Sequence, residues 1–102
     1  MDWAELIDAV EHRLGMFTGL PTYERAVNLV LGFDLGAGTD VNQRLQKRAR
    51  ETRDAGPIVW STALLWEITD DPRPDERELT PAQNEAAIKL LCDELRAVVD
   101  GT

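Results

Sequence analysis

Residues 80–100, TPAQNEAAIKLLCDELRAVVD, decide the fold class of this chain. Thr80 stands where an N-cap belongs, Pro81 suits the first helical position, and Gln83 follows three residues after the cap, as in a capping box. The apolar residues that follow recur at helical spacing: Ile88, Leu91, Leu95 and Val98. This stretch therefore predicts a long amphipathic helix with one face in a core.

The most apolar stretch lies upstream, at residues 58–68, IVWSTALLWEI. Its apolar side chains are distributed around the whole helical wheel, which predicts a central helix buried on all sides, with Trp60 and Trp66 in the core. A fully buried strand is the alternative. Residues 58–60 and 68–69 are good strand formers, and periodicity does not separate the two structures.

Three further helices are predicted before this segment. Residues 3–14 have an amphipathic pattern that ends at Gly15, and residues 21–34 form the next helix, with glycines at 36 and 38 as its stop. A third helix spans residues 40–54, capped by Thr39 or Asp40. The sequence therefore predicts an all-α fold of about five helices. At 102 residues and 43% hydrophobic content, residues 1–102 suit a single helical domain.

Composition excludes several classes of protein. One cysteine allows no intrachain disulfide, no apolar run reaches the length of a membrane span, and the acidic N-terminus is unlike a signal peptide. We therefore expect a cytoplasmic protein that does not bind membranes. A net charge of −8 argues against nucleic acid as the main partner, because its binding needs a cationic surface.

The sequence contains no recognisable catalytic or metal-binding pattern. Cys92 is followed by Asp93 and Glu94, whose charges disfavour the thiolate, and His12 is the only histidine. Ser61 and Thr62 lack the context of an activated nucleophile. We expect a protein that is not an enzyme and that holds neither a cofactor nor a metal ion.

Charge is unevenly distributed along the chain. Residues 61–80 carry six acids against two arginines. The acid spacing does not fit an EF-hand, so these residues form either a solvated loop or, as we predict, a surface that docks a cationic protein. The predicted partner-binding residues are Asp70, Asp71, Asp75, Glu76 and Glu78.

The third helix is basic, with five cations: Arg44, Lys47, Arg48, Arg50 and Arg53. A basic helix behind a glycine-rich turn is compatible with a DNA-recognition helix over residues 40–54. Its cations point in many directions around the wheel, however, which is more typical of a solvated surface helix.

A glycine-containing motif follows the first helix: Arg13-x-x-Met16-Phe17-x-Gly19. Its bottom-up interpretation is a structured loop over residues 15–21, with Met16 and Phe17 as anchors, glycines at the bends, and Arg13 bonded to loop carbonyls. Together with Tyr23 and residues 32–34, the motif resembles small uncharacterised bacterial proteins, several of them immunity-like. The resemblance covers residues 10–36 and implies the protective half of a toxin and immunity pair. The chain lacks the aromatic-rich segment that this resemblance leads us to expect at residues 44–52.

The same region also contains Asp34-x-Gly36-x-Gly38, which looks like the D-x-G-x-G nucleotide-binding box of type II topoisomerase ATPase subunits. That box follows a strand in a larger α/β domain. Only 14 residues separate Gly19 from Asp34 here, and they have a helical pattern. A glycine-rich helix connection is the better interpretation.

Two functions remain. The first is a non-enzymatic, acidic protein-binding module of immunity or antitoxin type that inhibits a cationic toxin. The alternative is a structural or regulatory homodimer or larger homo-oligomer that associates through the Trp3 face or the last helix.

Overall fold

A computed structural model describes residues 1–18 and 22–100 of the chain, without the side chains of residues 15–18 and 100. The described part contains five α-helices, one 3-10 turn and no strand. The helices are α1 (Trp3–Thr18), α2 (Tyr23–Ala37), α3 (Val41–Arg53), α4 (Trp60–Leu65) and α5 (Pro81–Asp100), and the 3-10 turn is Glu76–Glu78. The predicted all-α class is confirmed, and the apolar segment 58–68 contributes a helix rather than a strand. No helix in the described ranges is long and apolar enough to cross a membrane.

Helix α5 contacts all four other helices and packs most extensively against α1 and α3. Its capping box forms as predicted, since the Thr80 amide donates to Gln83 Oε1 at 2.9 Å and the Gln83 amide donates to Thr80 Oγ1 at 3.1 Å. The predicted seam is buried, together with three more residues of the same face: Ala87, Cys92 and Glu94. The central helix of the fold is therefore α5, and the prediction that segment 58–68 is central was wrong.

Helix α4 is shorter than its apolar sequence predicted. Trp60 is 2% exposed and Leu65 is 1% exposed, but Val59 is 51% exposed, so the segment is not buried on all sides. The chain enters α4 from the surface, where the Gln46 side chain accepts a hydrogen bond from the Trp60 amide at 2.8 Å. After Leu65 the backbone tightens into i to i−3 bonds, and Trp66 is left partly buried. Both ends of this mainly apolar segment thus lie near solvent, because they connect to surface elements.

Helix α1 continues beyond its predicted end. Arg13 has non-helical backbone angles (φ −137°, ψ 24°), but helical structure resumes and extends to Thr18. The backbone of Met16 and Phe17 therefore lies in a helix, which corrects the predicted loop over residues 15–18. The side chains of these two residues, and Gly19 itself, lie outside the described residues. The Arg13 guanidinium lies 3.8 Å from the Asp8 carboxylate in the described part of the chain.

Asp34 joins α2 to α3. Helix α2 passes the predicted end at Asp34 and stops after Ala37, where Gly38 adopts φ 67°. The buried Asp34 carboxylate accepts the amides of Val41 and Asn42, each at 3.0 Å, and also the hydroxyl of Thr39. The start of α3 is thus satisfied from α2, whereas Asp40 makes no side-chain cap bond. The D-x-G-x-G pattern has a structural cause, because its aspartate caps α3 and its last glycine turns the chain.

Candidate functional site

The predicted acidic surface divides into two parts in the structure. Asp70 and Asp71 are exposed on the connection that follows α4, and Asp71 accepts the Arg73 amide at 2.8 Å. Asp75 and Glu76 are partly buried at the start of the 3-10 turn, whereas Glu78 at its end is exposed. Two of the five predicted residues therefore lie against the body of the protein.

Asp75 and Glu76 line a groove between α4 and residues 74–77. The groove has a volume of about 510 Å³, and we call it the α4 groove. Its other wall is formed by Val59, which precedes α4, and by three residues of α4: Ser61, Thr62 and Leu65. It thus combines an exposed valine, two hydroxyl side chains, two carboxylates and the guanidinium of Arg77, a mixture typical of a polar interface rim.

The carboxylates of the α4 groove differ in their partners. Asp75 pairs with Arg77 at 3.1 Å, and this hydrogen-bonded arginine lowers the pKa of the Asp75 carboxyl. In the described part of the chain, neither Glu76 nor Glu24 forms a salt bridge. Burial first, and then the charges of Glu24 and Asp75, raise the pKa of Glu76. The charge of Arg77, which also lines the groove, acts on the pKa of Glu76 in the opposite direction, so the groove holds two carboxylates and one guanidinium.

Sequence patterns did not identify Glu24, which comes from α2. Its position follows from Tyr23, which is fully buried. The Tyr23 amide donates to Asn84 Oδ1 of α5 at 2.8 Å, and its hydroxyl donates to the Ser61 carbonyl of α4 at 2.7 Å. These bonds hold the start of α2 against α4 and α5, and α2 also contacts the 3-10 turn, where the charge of Glu24 raises the pKa of Glu76.

Most cationic side chains of α3 form ion pairs or hydrogen bonds with other groups of this chain. Arg48 and Arg53 both bind the carboxylate of Glu94, which is 5% exposed on α5. Arg44 donates to the Val98 carbonyl at 3.1 Å, and Arg50 donates to the Gly56 carbonyl at 3.1 Å. A recognition helix presents its cations to phosphates and bases, so this arrangement gives the DNA-binding hypothesis no support.

The nucleophile candidates have surroundings that do not activate them. Burial, followed by the charge of Glu11, raises the pKa of the Cys92 thiol to about 12, so the thiol stays protonated at neutral pH. His12 is exposed next to Glu11 at 3.5 Å and Asp8 at 3.8 Å. No group of three or more histidines, cysteines and acids that could hold a metal ion occurs among the described residues.

A second, larger groove of about 750 Å³ lies between the later part of α1 and the first half of α5. Val10, Leu14 and Ile88 contribute apolar surface, and charged residues stand around it. Leu14 and Thr22, which flank the connection between α1 and α2, are in its wall.

No protein-family model, curated protein or solved structure matches this chain. The class of protein is therefore defined by the fold alone, an all-α array of five helices in the described residues.

Proposed function

We propose that this chain is a non-enzymatic protein-binding module that docks a cationic protein on one acidic face. We define the acidic face as Asp70, Asp71, Asp75, Glu76 and Glu78. The observation that carries the proposal is the α4 groove, in which the carboxylates of Asp75 and Glu76 and the guanidinium of Arg77 lie beside an exposed valine. Interfaces are commonly built from an apolar anchor surrounded by charges that steer association.

Within this class we favour an immunity or antitoxin-type inhibitor. The net charge of −8 and its concentration in residues 61–80 fit a cationic toxin better than a neutral partner. The motif at residues 13–19 adds its resemblance to immunity-like proteins. Such an inhibitor acts by covering a functional surface of its toxin and needs no catalytic group of its own.

The test compares two triple variants with the same change in net charge. Asp70→Asn, Asp71→Asn and Asp75→Asn remove three of the five carboxylates of the acidic face. The control neutralises Asp8, Glu85 and Asp93, which are exposed on α1 and α5. The ligand is the product of the neighbouring gene or, failing that, a protein recovered by pull-down, and association rates are measured at two salt concentrations.

Steering by the acidic face predicts slower association and a weaker salt dependence for the first variant only. If both variants slow association equally, net charge alone explains the effect, and the acidic face is not the binding surface. Unchanged rates in both would contradict a cationic partner altogether.

Self-association is the second candidate, and one observation favours it. Leu31 and Leu35 stand one helical turn apart on α2 and are 38% and 86% exposed. Of the two surfaces that the sequence suggested, the Trp3 side chain packs edge-on against Phe33 at 4.7 Å between ring centroids, and α5 packs against the other helices of this chain. A homodimer built on α2 predicts a concentration-dependent mass in sedimentation that Leu35→Ser abolishes.

A further inference from the structure

Helix α2 carries two rows of residues on the side that faces solvent. Leu31 and Leu35 form one row, and Leu35 is 86% exposed, more than any other large apolar side chain in the described ranges. Gly32 and Gly36, which are also exposed, form the neighbouring row. Both rows repeat at an interval of four residues, so each runs along the helix. The outer side of α2 is therefore an apolar ridge beside a track without side chains.

The packing of a single chain does not explain the two glycines. A Cβ atom built at Gly32 or Gly36 meets nothing within 4 Å, and neither residue has a positive φ. Alanine would therefore fit at both positions, and glycine inside a helix is less favourable than alanine. The approach of another helix gives the glycines a role, because residues without side chains let two backbones come close.

The same side of α2 lacks the charge that covers most of the chain. Between Arg25 and Asp40 the only ionisable residue is Asp34, whose buried carboxylate caps α3. Charged residues make up 29% of the whole chain, and its net charge is −8. Two copies of such a protein repel each other over acidic surfaces. The uncharged stretch of α2 is a surface on which they can meet without placing acids against acids.

The two ends of the uncharged stretch have opposite charges. Arg25 is exposed near the start of α2, and Asp40 is exposed after its end, where it also pairs with Arg44 at 2.9 Å. In an antiparallel pair of α2 helices, the start of each helix faces the end of the other. Arg25 of one copy then approaches Asp40 of the second copy, whereas a parallel pair would place equal charges together. The antiparallel arrangement is therefore the one with complementary charges.

We propose that a second copy of this chain covers the outer side of α2, with the two α2 helices antiparallel. This inference rests on the second candidate function, self-association, and specifies its interface. A two-fold axis near residue 33 sets Leu31 against Leu35 of the second copy. The same axis sets Arg25 near Asp40 of the second copy, because both pairs have their midpoint there. The glycine rows then face each other and allow close contact of the backbones.

The first experiment measures the mass of the intact protein by sedimentation equilibrium at micromolar to millimolar concentration. We expect the wild type to approach the mass of a dimer as its concentration rises, and Leu35→Ser to stay monomeric. Val59→Ser is the control, because Val59 is 51% exposed and lies outside α2, so this variant should dimerise like the wild type. A wild type that stays monomeric throughout, or equal losses in both variants, contradicts the inference.

The variant Gly32→Ala separates the interface from the stability of a single chain. In the monomer the added methyl group meets nothing and favours the helix, so the Tm at low concentration should rise by about 2–8 °C. In the dimer the same group holds the helices apart at two symmetric positions, so the dissociation constant should rise about tenfold. A dimer that is as tight as the wild type would show that the glycine row lies outside the interface, and the inference would be wrong.

Charge reversal tests the orientation of the two helices. Arg25→Glu should weaken the dimer about fivefold, and adding Asp40→Lys should restore it, because opposite charges again face each other. A parallel dimer would gain nothing from the second change. Dimerisation without this rescue therefore overturns the antiparallel arrangement and leaves self-association as a function, whereas a monomeric wild type removes both. Neither result bears on docking of a cationic protein to the acidic face.

Discussion

Glu94 is the residue whose replacement tests the packing of α5 most directly. It is 5% exposed, and its carboxylate binds both Arg48 and Arg53 from α3. Arg53 also pairs with Glu67 at 3.1 Å, so the network connects α3, α5 and the residues after α4. Taking the charge from Glu94 leaves two guanidinium groups facing a neutral side chain.

The expected magnitude follows from how deeply each partner is buried. Removing one member of a buried ion pair costs about 3–5 kcal/mol, since an uncompensated charge remains inside. Arg48 has a side chain that is 42% exposed, and Arg53 retains Glu67, so both are partly compensated in the variant. We therefore expect Glu94→Gln to lose about 3 kcal/mol, which corresponds to roughly 12–24 °C in Tm for a domain of this size.

The assay is urea unfolding followed by tryptophan fluorescence, with Glu85→Gln as the control. Glu85 is exposed on the same helix, so its replacement should change the free energy of unfolding by no more than about 0.5 kcal/mol. A combined replacement of Arg48 and Arg53 by Met and of Glu94 by Leu should recover most of the lost stability, because no buried charge remains. A loss below about 1 kcal/mol for Glu94→Gln would refute the reasoning.

Two further predictions concern the core and a helix junction. Trp60→Ala should lower the free energy of unfolding by about 3–5 kcal/mol, because the ring is buried and its Nε1 donates to Asn42 Oδ1 at 2.7 Å. Trp66→Ala should cost about half as much, because Trp66 is only partly buried. Equal losses for the two variants in urea unfolding would contradict the structure. Asp34→Ala should lower the free energy of unfolding by about 1–3 kcal/mol, because the amides of Val41 and Asn42 lose their carboxylate acceptor. The amide of Val41 should then exchange its hydrogen faster. Unchanged exchange at Val41 would show that Asp34 does not cap α3.

Helix α3 shows which features of a helix can be predicted from its local sequence. Its predicted range of residues 40–54 agrees with the observed Val41–Arg53, because its start and stop depend on residues within a few positions. The residue that satisfies its first amides is nevertheless Asp34, on another helix. The sequence pattern predicts where the helix lies, whereas the packing of α2 against α3 determines which side chain caps it.

The candidate site was only partly accessible to sequence analysis. A run of acids and prolines marks residues 70–78 as surface, since such residues have little apolar area to bury. Glu24, which completes the charge around Glu76, lies far away in the chain and carried no signal of its own. Val59 was expected inside because apolar composition alone does not report which end of a segment meets solvent.

Sequence by itself determined the all-α class, the capping box of α5 and its apolar seam. These features depend on hydrogen bonds and periodicity within a few turns of one helix, which neighbouring residues specify directly. Only the tertiary structure decided that α5 is central, that Glu94 is buried between two arginines of α3, and that Glu24 stands near Glu76. Those arrangements join residues distant in the chain, so they exist only once the helices have packed and fixed which faces are removed from water.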